Sequence, residues 1–118
     1  MSSRINLDHS NEDDAFNLLP PEIEKTLPAL YATEKQTAEE KIVHLKFFAP
    51  NTYWTWYVLE AARQENGDVV FFAFVEGFEK EYGYFTLNEL KSIVNPMFRV
   101  ERDLYFKPRP LSECIYRD

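Results

Sequence analysis

The segment Trp54-Thr55-Trp56-Tyr57-Val58-Leu59-Glu60 constrains the fold of this chain more than any other. It carries both tryptophans of the protein. Trp54, Trp56 and Val58 fall at alternate positions, and Tyr53, Thr55, Tyr57 and Leu59 fill the positions between. Side chains alternate across a strand, so both faces of this segment are large and mostly apolar. Such a strand belongs inside a sheet that is covered on both sides. The other elements must then be arranged around it.

On its N-terminal side, residues 42–48 alternate, with Val43, Leu45 and Phe47 against Ile42, His44, Lys46 and Phe48. That is a strand with one clean apolar face. Ala49-Pro50-Asn51-Thr52 makes the turn between the two. On the C-terminal side, Asn66-Gly67 marks a turn into residues 69–76, an apolar run that also reads as central. The spacing predicts an antiparallel meander of 42–48, 53–62 and 69–76. A short strand follows at 82–85. Thr86-Leu-Asn-Glu89 is a capping box that starts a helix of about two turns, ended by Asn95-Pro96. Leu18 to Leu27, with Pro20-Pro21 in its first turn, reads as a short helix anchored by Leu19, Ile23 and Leu27. Residues 100–106 fit an edge strand or an extended loop, and Pro108 and Pro110 keep the next stretch extended. Residues 1–17 are polar and acidic, with too few apolar groups to offset ordering entropy, and read as a flexible tail. The fold class expected is α+β: one compact domain over 18–118, an antiparallel sheet of three to five strands with short flanking helices.

Composition excludes more than it selects. The 118 residues include ten Phe, seven Tyr and two Trp, enough for one aromatic-rich core. A single cysteine, Cys114, precludes an internal disulfide and fits a reducing compartment. The N-terminus has no apolar signal region, and no run approaches a membrane span, so a cytoplasmic protein is expected. Net charge is −7, which argues against nucleic-acid binding through a basic surface. Two histidines, far apart, make a His-centred triad or a zinc site improbable. Three glycines leave no phosphate-cradling loop. No catalytic residue emerges, and a non-enzymatic role is expected. The acid excess has three readings: solubility, oxygen ligands for a hard cation, or an acidic surface that meets a basic protein.

One carboxylate cluster follows from the expected hairpin. The start of its first strand lies beside the end of its second, which places Glu39 and Glu40 near Glu60. The preceding loop can bring Glu34 to the same rim. Such a group repels itself unless a cation or basic side chains neutralise it. Ca²⁺ accepts six to eight oxygens in flexible geometry. Lys35, Lys41 and Arg63 supply the alternative, ordinary surface pairing. On the ion reading, Glu60→Gln removes a repelling charge and leaves the ion-free melting temperature unchanged or slightly raised.

Several strings occur together: Leu27-Pro-Ala-Leu-Tyr31-Ala-Thr-Glu34, Lys46-Phe-Phe-Ala-Pro50, Trp54-Thr-Trp-Tyr57, Gly77-Phe-Glu-Lys-Glu81 with Gly83-Tyr-Phe85, and Glu101-Arg-Asp-Leu-Tyr-Phe106 with Pro110-Leu-Ser-Glu113. Their order resembles a family of small bacterial proteins of unknown function, common on plasmids and in cyanobacteria. That family includes a cyanobacterial calcium-binding protein with a compact α/β fold. This chain departs from its better-known members at Lys35-Gln-Thr-Ala38, where they carry more acids, and at Tyr53, where they have Asn. The resemblance implies Ca²⁺ binding as a buffer or sensor, and it adds Asp103 to the candidate ligands Glu34, Glu39, Glu40 and Glu60. The alternative is an acidic protein-interaction module, such as an inhibitor carried by a mobile element.

Overall fold

The tryptophan segment is the middle strand of a five-stranded antiparallel sheet. The computed structural model describes residues 14–93 and 99–115. Its strands are β1 (Ile42–Val43), β2 (Leu45–Phe48), β3 (Thr55–Arg63), β4 (Val69–Glu76), β5 (Lys80–Thr86), β6 (Glu101–Arg102) and β7 (Arg109–Pro110). The large sheet has the order β5-β4-β3-β2-β6, and β1 pairs with β7 in a separate two-stranded sheet. Short helices complete the α+β fold, among them α1 (Pro21–Glu24), α2 (Leu87–Lys91) and α3 (Leu111–Ile115). No helix among the described residues is long and apolar enough to cross a membrane.

The doubly apolar character of β3 is realised in two cores. Trp56 and Val58 join Leu45, Phe47, Phe71 and Leu90 on one face. Tyr57 and Leu59 join Val43, Leu111 and Cys114 on the other. Phe47 and Phe71 are fully buried and meet edge to face at 5.6 Å. Burying a side chain of that size contributes about 1.5–3 kcal/mol, so this pair anchors the first core.

The meander β2-β3-β4 follows the sequence expectation, with differences at its ends. Residues 42–48 are not one strand. They break at His44, after which Leu45 and Phe47 enter the first core, whereas Val43 packs in the second. The break lets β1 leave the sheet and pair with Arg109–Pro110. Leu111 N then donates to Lys41 O at 2.8 Å, and Ser112 N donates to Ala38 O at 3.0 Å. These bonds set α3, a helix the prolines had hidden, over the second core. β6 pairs with β2, so residues 101–102 are an edge strand and the rest of 100–106 is loop. β5 is longer than the 82–85 expected.

The expected capping box is present. Thr86 Oγ1 accepts from Glu89 N at 3.1 Å, and the Glu89 carboxylate accepts from Thr86 N at 2.7 Å. Asp68 adds a second clasp, accepting from Val69 N and from Asn88 N. The helix ends at Lys91, with Ser92 as its C-cap, short of the two turns up to Asn95-Pro96 that were expected; Asn95-Pro96 and most of the expected tail lie outside the described residues. Where that tail is described, it packs on the body. Ala15 is buried, and Arg102 donates to the carbonyls of Asn17 and Asp14 at 2.8 and 3.1 Å.

Candidate functional site

Glu60 is the polar residue around which one end of the sheet is built. The β3–β4 register pairs Val58 with Ala73 and then Glu60 with Phe72, leaving Leu59 as the extra residue of a bulge. An uninterrupted strand would aim Glu60 with Trp56 and Val58 into the first core. The bulge moves it to the opposite face, with Phe72. There it is 1% exposed.

A buried carboxylate is tolerated only with hydrogen bonds to its oxygens. The loop after α1 supplies them. Tyr31 N donates to Oε1 at 2.7 Å, Thr33 N donates to Oε2 at 2.8 Å, and the Thr33 hydroxyl also donates to Oε2. Tyr31 takes φ 72°, a left-handed conformation that turns successive amides toward one acceptor. The same loop is held by Ala61 N, which donates to Pro28 O at 2.9 Å, and by buried Lys41, whose Nζ donates to Thr33 O at 2.5 Å. Past Val58, β3 has outrun β2, and this loop occupies the vacated side.

The other candidate ligands are placed separately. Glu40 accepts from Thr37 N at 2.9 Å and closes its own turn, and Glu39 is exposed. Asp103 pairs with Lys46 at 3.4 Å and accepts from Tyr105 N, on the side of β2 away from β3. Glu34 directly follows Thr33 in the loop that holds Glu60, and both carboxylates act on the Tyr84 phenol. Arg63, expected to neutralise the rim, instead forms a two-pronged bond to Glu24 at 2.8 and 2.6 Å. Among the described residues, no three His, Cys, Asp or Glu side chains gather so as to hold a metal ion.

Beside the Glu60 loop, the second face of the sheet changes from buried to exposed. α3 covers Tyr57 and Leu59. Farther out, Phe72 stacks on Tyr82 at 5.5 Å and leans on Tyr84 at 5.0 Å, while Phe74 meets Tyr82 edge-on at 5.2 Å. Tyr84 is 54% exposed, Tyr82 42% and Tyr31 62%. Lys41 lies over the Tyr82 ring at 5.7 Å. Partial desolvation, then Tyr31, Glu60 and Glu34, push the Tyr84 hydroxyl above its usual ionisation range. The result is an aromatic platform bordered by the Lys41 ammonium and by the Glu34 and Glu60 carboxylates. Sequence reasoning did not single out this platform. Its signal was the aromatics at alternate positions, Phe72 with Phe74 and Tyr82 with Tyr84.

A family model matches residues 18–116. The chain belongs to that family, described as Protein of unknown function (DUF2958). The match spans every strand and helix named above, including the Glu60 loop and the platform. No curated protein and no solved structure gives a significant match.

Proposed function

We propose that this domain is a non-enzymatic protein-interaction module, and that its partner binds the aromatic platform of Phe72, Tyr82 and Tyr84. The observation that carries this reading is the exposure of Tyr82 and Tyr84 beside Tyr57 and Leu59, which α3 buries on the same face. Exposed aromatic clusters of this kind supply contact area at low entropic cost, and Tyr is enriched where partners dock. The net charge of −7 suits a basic partner.

The test is co-purification of the intact protein from its native cells, beside a Tyr82→Ser/Tyr84→Ser double variant that melts cooperatively. A partner held by the native protein and lost by the variant supports the module. A partner that both retain overturns it. Calcium binding is the second reading, favoured by the place of Glu34 directly after Thr33 in the loop that holds Glu60 and by the resemblance to a calcium-binding protein. Against it stands the filling of Glu60's oxygens by three protein donors. A melting temperature of chelator-treated protein that rises in millimolar Ca²⁺ would establish the ion.

A further inference from the structure

Among the described residues, β5 is an edge strand of the large sheet. Over its seven residues its register with β4 runs without a shift, and β4 is its one strand neighbour among the described residues. Natural edges are usually blunted by charges, proline or bulges. Here the charges, Lys80 and Glu81, stand at one end. From Tyr82 to Thr86 the edge carries no charge and no proline.

Gly83 lies at the middle of this edge. Glycine within a strand costs roughly 0.5–1 kcal/mol against alanine. Neither common reason for it applies inside the chain. Gly83 does not have the positive φ of Gly67, and a Cβ built on it meets nothing within 4 Å. The space opens on the face shared by Glu81 and Phe85, opposite the one that bears Tyr82 and Tyr84. A mid-strand glycine with room beside it fits a site where another chain approaches.

We infer that β5 receives an extended, basic segment of a partner protein as a sixth strand, with an arginine or lysine side chain lying over Gly83. This rests on the interaction-module reading and specifies its partner. Main-chain bonds along the edge would supply affinity, and alternate side chains would supply selectivity. On one face, a long aliphatic stem covers the open backbone of Gly83, as bulky side chains do opposite edge glycines, and its cationic head reaches toward Glu81. On the other face, where Lys41 already lies over the Tyr82 ring, β-branched side chains pack against the rings of Tyr82 and Tyr84. Charge also selects against a second copy of this chain, since pairing two β5 edges would bring together two bodies of charge −7.

The test is a titration of isotope-labelled intact protein with an eight-residue peptide of alternating arginine and valine, and with its glutamate–valine counterpart. Expected are amide shifts and slowed hydrogen exchange centred on residues 80–86, with the arginine peptide binding at least about tenfold tighter. Gly83→Val, which meets open space, should melt at or above the native temperature yet weaken the arginine peptide by about fivefold or more. Shifts centred elsewhere, equal binding of both peptides, or no response at millimolar peptide would each overturn the edge inference. A concentration-dependent dimer protecting β5 would also overturn it, by making a second copy the occupant. If the peptide fails while a captured partner still depends on Tyr82 and Tyr84, the module stands without the edge. If both fail, the module falls too.

Discussion

Glu60→Gln isolates what the buried carboxylate does. Glutamine keeps the shape of glutamate but offers one acceptor oxygen and an NH₂ group. With its oxygen turned to Thr33 it retains both bonds there, and its NH₂ then faces the Tyr31 N–H donor to donor. One buried donor is stranded, costing about 1–3 kcal/mol, and two charge-assisted bonds become neutral, losing about 1 kcal/mol each. The expected loss is about 3–5 kcal/mol. For a domain of this size each kcal/mol lowers the melting temperature by roughly 3–6 °C, so a fall on the order of 10–30 °C is expected in ion-free buffer. Differential scanning calorimetry reads it directly. The direction is opposite to that of a cation ligand relieved of repulsion. An unchanged or raised melting temperature would refute the structural role of Glu60 and restore the ion reading. The amide exchange of Tyr31 and Thr33 gives a second readout, because the Tyr31 N–H should lose protection in the variant while that of Thr33 keeps its acceptor.

Three further outcomes follow from other contacts. A Cβ at Gly77 would fall inside contact distance of three Trp54 ring atoms, so Gly77→Ala should displace the indole from its stack on Trp56; a loss of about 1–3 kcal/mol and a red-shifted tryptophan emission are expected. Thr86→Ala removes the reciprocal cap of α2 and should cost about 1 kcal/mol by chemical denaturation, with no loss of secondary structure elsewhere. The Arg63 guanidinium hydrogen-bonded to Glu24 holds that carboxyl below its usual range, a contribution present above about pH 5 and lost as pH falls through the lower, folded-state value. Glu24→Gln should therefore melt below the native protein at pH 7, and the two should converge as pH falls below the folded-state value.

The meander was legible because its signals are local. Alternation in 42–48 and 53–62, the Asn66-Gly67 turn and the Thr86–Glu89 box each act within a few residues. The elements that build the site are not local. The bulge at Leu59 leaves no mark in the spacing, yet it decides which face Glu60 enters. Counting by twos therefore assigns Glu60 to the wrong side. A carboxylate closing an apolar run was the available hint that a buried acceptor was needed there. The left-handed Tyr31 carries no glycine to announce it. β1 and β7 have two residues each and pair across more than sixty positions, beyond the reach of any periodicity. The expected carboxylate rim depended on β1 continuing beside β3. Once β1 turns away at His44, Glu39 and Glu40 follow it, and the loop carrying Tyr31 and Thr33 takes the place beside Glu60.

The most direct measurement of the proposed role is site-specific photo-crosslinking in native cells. A benzophenone amino acid replaces Tyr84 in one variant and exposed Glu65, on the far hairpin loop, in another. A discrete adduct with one protein from position 84, absent from position 65, is expected. No adduct at position 84, or the same adducts at both, would contradict a partner-binding platform on this face.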